Sequence, residues 1–196
     1  MKTVIFDLGG VLFGRNQSLM TEDIKEFFSF LAIDPTPDYW NEYDRGVQTI
    51  DETAQLLAKE KNLSEQLCKE YVYKCIELLA EIKPTETLIE ELHNKGFKLY
   101  VLSNMSFDFI EHLRTKPVYK FFDGEVVSCQ HKTIKPERSI YEKILGKYNI
   151  NPAEALFIDD RPLNIETGKA VGLNTYLFDR YNAENCCKEI RDILYK

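Results

Sequence analysis

The stretch Val4-Ile5-Phe6-Asp7-Leu8-Gly9-Gly10-Val11 decides how the rest of the chain is read. Val4, Ile5 and Phe6 are a short apolar run of strand formers, and an acid and a glycine pair follow closely. That pattern predicts a buried strand that ends in a glycine-bearing turn.

Working outward, the pattern first becomes helical. Ile24, Phe27, Phe28 and Leu31 recur at helical spacing behind Thr21, a candidate N-cap, and Asp34-Pro35-Thr36-Pro37 stops the run. Thr49-x-x-Glu52 reads as a capping box that opens a helix through Leu56, Leu57 and Lys59. A longer helix begins near Ser64, carries Leu67, Tyr71, Cys75, Leu78 and Ile82 on one face, and is expected to end at Pro84. Residues 15–83 thus read as all-helical, with no strand signal.

Beyond Pro84 strands and helices alternate. A helix with Leu88, Ile89 and Leu92 closes at Gly96, a suitable residue just past a helix end. Strands follow at Phe97–Leu102, Glu125–Val127, Ala155–Ile158 and Thr175–Phe178. Helices are expected around Ile140 to Tyr148, from Pro162 to Gly172, and over the last dozen residues. Such alternation predicts an α/β fold: a Rossmann-like parallel sheet with helices on both faces. The first strand belongs to that sheet. The chain therefore divides into a core of residues 1–14 and 84–196 and a small helical insert of residues 15–83 placed after the first strand.

Length and composition bound the function. A chain of 196 residues holds one large domain, or one domain with a smaller insert. With 25 Lys and Arg against 32 Asp and Glu, the formal charge is -7, the wrong sign for nucleic acid or an anionic membrane. No apolar run is long enough to span a bilayer, and Asp7 interrupts the apolar start before a signal peptide could form. The five cysteines, Cys68, Cys75, Cys129, Cys186 and Cys187, are odd in number and lack a C-x-x-C pair. They read as reduced thiols of a cytoplasmic protein. The adjacent Cys186 and Cys187 fit core thiols of the last helix better than a redox pair. Nothing in the pattern signals an oligomeric state.

Ligands of open parallel sheets bind at the carboxyl ends of the strands. Asp7, Ser103-Asn104 and Asp159-Asp160 stand at those ends, and Lys132 and Lys135-Pro136 lie in the loop after the short strand near 126. Singly, each has a plain reading: Asp7 a turn residue, Ser103-Asn104 a helix cap, Lys135 a solvated charge. Adjacent acids at the end of a buried strand repel and lose solvation unless a cation offsets them, so Asp159-Asp160 points to metal binding. Together the set suits phosphoryl transfer through a covalent aspartate. A carboxylate can attack phosphorus, carboxylate oxygens suit Mg²⁺, and Lys135, Ser103 and the amide groups after it can take up phosphoryl charge.

This constellation resembles the haloacid dehalogenase (HAD) superfamily, along the whole chain and in order. Phe6-Asp7-Leu8-Gly9-Gly10-Val11 is similar to its first motif and Val101-Leu102-Ser103-Asn104 to its second. Lys135-Pro136 with Ile140-Tyr141 is similar to the third, and Phe157-Ile158-Asp159-Asp160 with Asn164, Glu166, Gly168 and Gly172 to the fourth. The helical insert resembles the type 1 cap of that superfamily. Within it, the chain is most similar to the α-D-glucose-1-phosphate phosphatase-like group. The resemblance implies Asp7 as nucleophile, Ser103, Asn104 and Lys135 on phosphate, and Mg²⁺ held by Asp7, the Gly9 carbonyl and Asp160. Asp159 and Asn164 would then act behind the metal ligands.

The chain departs from the pattern at Gly9, where most phosphatases of the superfamily carry an aspartate that protonates the leaving group. A general acid or base contributes roughly 10²–10⁴-fold, so its loss slows the chemistry, most for poor leaving groups. The alternative is a donor elsewhere, on the cap or on the substrate. Three readings follow. The first is a Mg²⁺-dependent phosphatase acting on a small phosphorylated metabolite such as a sugar phosphate. The second is a non-catalytic relative that binds a phosphorylated ligand or a protein. The third is a 2-haloacid dehalogenase, which the paired acids Asp159-Asp160 disfavour. Specificity should lie in the cap, where Trp40, Tyr43 and Arg45 are candidates for lining the site.

Overall fold

The computed structural model describes residues 1–16, 19–33 and 35–195. Asp34, part of the predicted helix stop, lies outside the described residues, as do Gln17 and Ser18 of the insert.

Five parallel strands form the central sheet. They are β1 (Thr3–Phe6), β4 (Lys98–Ser103), β5 (Gly124–Val127), β6 (Ala155–Asp159) and β7 (Asn174–Leu177). The order across the sheet is β5-β4-β1-β6-β7, so β1 is central. Its side chains alternate between two cores. Val4 and Phe6 join one hydrophobic cluster with Leu99, Val101, Leu156 and Ile158. Ile5 joins another with Tyr100, Leu102, Ala155 and Phe157. A strand buried on both faces reads as a continuous apolar run, which is why Val4-Ile5-Phe6 shows no polar alternation.

Helices cover both faces. Residues of α8 (Arg138–Lys147) and α9 (Pro162–Ala170), among them Ile140, Tyr141, Ile144 and Ile165, pack on the Ile5 side. On the Phe6 side lie α5 (Lys83–Asn94), α6 (Phe107–Arg114) and α10 (Ala183–Leu194), through Leu88, Phe109 and Ile190. Among the described residues no helix is long and apolar enough to cross a membrane. All five cysteines are buried and unpaired, and Cys186 and Cys187 face the core from α10.

The helical insert carries α1 (Glu22–Phe27), α2 (Asp38–Asp44), α3 (Ile50–Lys61) and α4 (Glu65–Glu77). Its apolar residues Ile24, Phe27, Trp40 and Leu57 belong to the same cluster as Val4 and Phe6. The predicted capping box is present: the Thr49 hydroxyl accepts from the Glu52 backbone N–H, and the Glu52 carboxylate accepts from that of Thr49. Ser64 caps α4 through its hydroxyl. Thr21 precedes α1 without a capping side-chain bond, and that helix passes into a 3₁₀ turn over Phe28–Ala32.

Two expectations are corrected. The segment 15–83 is not purely helical, because β2 (Phe13–Arg15) and β3 (Leu79–Glu81) pair antiparallel where the chain leaves and re-enters the core. Three residues per strand are too few to show a period of two, and Leu78 continues the apolar stripe of α4. Pro84 does not end α4. It stands in the first turn of α5, where a missing N–H leaves no helical bond unmade.

The capping box supplies a stability test. Thr49→Ala should lower unfolding free energy by about 1 kcal/mol, the usual worth of an N-cap side chain. The shift in urea midpoint measures it, and an unchanged midpoint would show that α3 does not depend on its cap.

Candidate active site

The sheet register sets the site. Phe6 pairs with Val101 on one side and Ile158 on the other, so Asp7, Ser103 and Asp159 emerge from three adjacent strands at one edge. The Asp7 N–H extends the ladder to the Ile158 carbonyl at 2.9 Å. Asp7 is nearly buried. Its Oδ1 accepts from the Leu8 backbone N–H at 2.7 Å and from the Ser103 hydroxyl at 2.7 Å. Lys135 Nζ stands 3.0 Å from the same oxygen. All three donors fall on Oδ1, so Oδ2 is the oxygen left free of them.

Lys135 is buried between two acids. Its Nζ lies 2.5 Å from Asp159 Oδ2. Burial works against the ammonium, but Asp159 and then Asp7 outweigh it and hold Lys135 above its ordinary value. Asp159 is sealed from solvent, and its other oxygen accepts from the Arg161 N–H at 2.8 Å and Asn164 Nδ2 at 2.9 Å. Asn164 is itself held by the Tyr141 hydroxyl on its carbonyl.

Asp160 differs from its neighbour. It lines a cavity of about 280 Å³ that Asp7, Gly9, Asn104 and Lys135 also line. Burial, then the charges of Asp7 and Asp159, push its carboxyl up to about 7. Carboxylate oxygens of Asp7, Asp159 and Asp160 lie within 4.8 Å of one another. Within this cluster three acids face one ammonium, an excess of negative charge that a divalent cation would offset. Both oxygens of Asp159 are taken, so Asp7 and Asp160 are the carboxylates free to ligate. Among the described residues the Gly9 carbonyl accepts no backbone hydrogen bond. This hard-oxygen set fits Mg²⁺, which binds through one or two carboxylates and keeps several waters. Gly10 permits the approach: its φ is +77°, and a Cβ there would stand 2.1 Å from Asp160 Oδ2.

Other expected residues take different places. The Asn104 amide, expected on phosphate, is engaged at both ends with the Lys135 backbone, at 2.9 and 2.7 Å. That leaves it positioning the lysine. Trp40 lines the cavity and packs edge-on to Phe30, Tyr43 and Phe109. Tyr43 is buried in that aromatic cluster, and its hydroxyl donates to Asp108 at 2.8 Å. Arg45 does not line the cavity: it forms a two-pronged bond to Glu137 at 2.7 and 3.0 Å and ties the insert to the core. The sequence reading missed Asp44, Arg161, Thr36 and Asn41, which all line the cavity. Arg161 reaches the insert, donating to Thr36 Oγ1 at 2.9 Å and the Leu31 carbonyl at 3.1 Å. No periodicity marks these residues, because their side chains reach the cavity only through the docking of the insert.

An acid-lined cavity at the carboxyl edge of a Rossmann-like sheet, beneath a helical insert, defines a hydrolase architecture. The chain belongs to the haloacid dehalogenase-like hydrolase family, whose model matches residues 1–172. A sesquiterpene phosphatase of Aspergillus oryzae is 26% identical over 196 residues, spanning 98% of this chain and 96% of that protein. The solved structure of a predicted HAD-like family hydrolase from Porphyromonas gingivalis has a TM-score of 0.77 at 27% identity, covering 100% of this chain and 98% of that one. A HAD family enzyme of Bacteroides thetaiotaomicron, crystallised with magnesium and inorganic phosphate, shares the fold with a TM-score of 0.68 at 22% identity. That match covers 90% of this chain and 93% of the other.

The raised Asp160 carboxyl has a pH consequence. A folded acid held above its ordinary 3.8 binds more protons than the unfolded chain up to about 7, so stability falls as pH rises through that window. Relative to Asp160→Asn, metal-free wild type should lose thermal stability between pH 4 and 7. Mg²⁺ should restore it at pH 8 in the wild type alone. Parallel melting curves for the two proteins with no pH-dependent divergence would contradict this.

Proposed function

We propose that this hydrolase is a Mg²⁺-dependent phosphatase that cleaves a small phosphorylated metabolite through a phospho-aspartate on Asp7. The carrying observation is the environment of Asp7: three donors anchor Oδ1, Oδ2 is left free, and Asp160 and Lys135 line the same cavity. A nucleophile held this way meets a phosphoryl group without first losing a flexible side chain's freedom. The phosphatase name of the Aspergillus relative supports the same reading. So does the magnesium and phosphate bound by the structurally similar Bacteroides enzyme.

In this reading Asp7 attacks phosphorus, the ester oxygen leaves, and water then cleaves the acyl phosphate to free Asp7. Lys135 and the Ser103 hydroxyl fix the carboxylate, Lys135 also offsets charge on the phosphoryl oxygens, and the Asn104 backbone N–H binds the phosphate. Asn104 holds the Lys135 backbone in register, while Asn164 and the Arg161 N–H hold Asp159. Mg²⁺, bound by Asp7, the Gly9 carbonyl and Asp160, would neutralise phosphate charge and orient the ester. Residues 15–83 act as a cap over a core of residues 1–14 and 84–196, contributing Thr36, Trp40, Asn41 and Asp44 to the cavity. A cavity of about 280 Å³ suits a small ligand. The unpaired cysteines support a reducing, cytoplasmic setting. Halide displacement needs no metal, so the excess of negative charge on Asp7, Asp159 and Asp160 favours phosphate over haloacid substrates.

A panel of phosphorylated metabolites assayed with and without Mg²⁺, with Asp7→Asn as the blank, tests the proposal. Phosphate release should vanish with EDTA and return on adding Mg²⁺, and Asp160→Asn should raise the Mg²⁺ concentration required. Full activity after EDTA treatment would overturn the metal's part. Separately, Lys135→Ala should lower turnover by roughly 10- to 10³-fold. It should also cost about 3–5 kcal/mol of stability by stranding the buried Asp159. Unchanged kinetics and urea midpoint would reduce Lys135 to a bystander.

A further inference from the structure

The phosphatase reading leaves one step without a residue. When the ester bond breaks, the departing alkoxide needs a proton, and Gly9 has no side chain to give one. The Met105 side chain stands beside that position, its terminal methyl 3.3 Å from where a Cβ on Gly9 would lie. The donor must come from elsewhere around the cavity.

We infer that Asp44, the last residue of α2 on the helical insert, is the general acid and base of this hydrolase and supplies the carboxyl that Gly9 lacks. The inference rests on the phosphatase reading above. Asp44 lines the same cavity as Asp7, Gly9 and Met105. Among the described acids that line the cavity, it alone lies outside the Asp7, Asp159 and Asp160 cluster. It is also the acid that the insert, not the sheet, delivers.

Asp44 is held in place by the core. The Ser128 hydroxyl donates to the Asp44 carbonyl and lies 2.9 Å from the Met105 N–H, which donates to it. The Ser106 backbone N–H faces the Asp44 carboxylate. Two residues on, Gly46 has φ +68°, and a Cβ there would fall 2.7 Å from the Cys129 carbonyl. The turn after Asp44 is therefore pressed against α7 (Ser128–His131), and Arg45 clamps it through Glu137. A residue whose backbone is anchored in this way brings its carboxyl to the cavity from a fixed point, which favours proton transfer.

Its surroundings suit a proton donor. Burial pushes the Asp44 carboxyl up to about 7; the Arg161 charge and the Ser106 N–H oppose, Asp7 adds, and Lys135 opposes. Tyr43 and Cys129 are the other ionisable groups on which its charge acts. A carboxyl that titrates near neutrality can both give and take a proton at working pH.

The steps balance. An Asp7 oxygen bonds to phosphorus as the P–O bond to the leaving group breaks. The leaving oxygen takes the bonding pair and then the Asp44 proton, departing as the alcohol and leaving Asp44 as carboxylate. Asp44 then removes a proton from water as that water attacks the phospho-aspartate phosphorus. The bond from phosphorus to Asp7 breaks, inorganic phosphate leaves, and Asp44 is protonated again.

Leaving-group dependence separates this role from a structural one. p-Nitrophenyl phosphate expels a phenolate that needs no proton, whereas ethyl phosphate expels an alkoxide that does. Wild type with Mg²⁺ should hydrolyse both. Asp44→Asn should form phospho-Asp7 from ethyl phosphate roughly 10²- to 10⁴-fold more slowly. It should still release one equivalent of p-nitrophenolate per site in a burst at near the wild-type rate, which also certifies that the variant is folded, before a slow steady state set by loss of the base. Asp44→Ser, made in parallel, should show the same split. Equal losses in the first-turnover rates of both esters, or none on either, would overturn the role of Asp44 and leave the phosphatase reading standing. So would a wild type that cleaves the aryl ester alone. A wild type that releases no phosphate from either ester, or from any member of the metabolite panel, would overturn the phosphatase reading and Asp44 with it.

Discussion

Lys135 is a buried ammonium between two buried carboxylates, and the carboxyl edge of the sheet is arranged around it. Removing each ion from water costs several kcal/mol, and mutual attraction offsets that only where geometry is good and remaining polar atoms are paired. The pairing is complete here for the inner acid. Asp159 takes Lys135 on one oxygen and two N–H donors on the other, and Asn104 grips the Lys135 backbone by both ends of its amide. Asp7 shares the ammonium with Asp159 and gains Ser103 and its neighbour's N–H. The triad therefore freezes one oxygen of Asp7 and leaves the other for chemistry. It also leaves Asp160 as the unmatched charge that a cation would answer.

The second constraint is the docking of the helical insert. Arg161 leaves the loop after β6 and ends on Thr36 and Leu31, while Arg45 leaves the insert and ends on Glu137. These reciprocal arginine contacts flank an apolar cluster that runs without a break from β1 into α2 and α3. The core consequently supplies most of the cavity wall and the insert the rest, Thr36, Trp40, Asn41 and Asp44 among it. The position of Asp44 is set by this docking, through the Ser128 hydroxyl on its carbonyl.

Much of this was legible in the residue pattern. Val4-Ile5-Phe6 and Ala155–Ile158 read as buried strands because both faces are covered, and the acids after them fell at the strand ends because parallel strands share a polarity. The resemblance put Asp160 on the metal and Asp159 behind it; in the structure Asp159 is sealed and paired, and Asp160 faces the cavity. The short β2–β3 ladder escaped because its residues extend a helical stripe. Pro84 was taken for a stop because a proline at a boundary ends one helix or begins the next with the same local signal.

Chain order by itself determined the alternation of strands and helices, the place of the insert and the residues at the strand ends, because those follow from periodicity and turn chemistry along the backbone. Tertiary structure decided which polar residues of the insert face inward. In Tyr43-Asp44-Arg45 three consecutive polar side chains go to three destinations: the aromatic cluster and Asp108, the cavity, and Glu137. Their order in the chain is silent on this choice. It depends on how α2 is rotated against the core, which is set by apolar contacts and by the seat of Gly46 on Cys129.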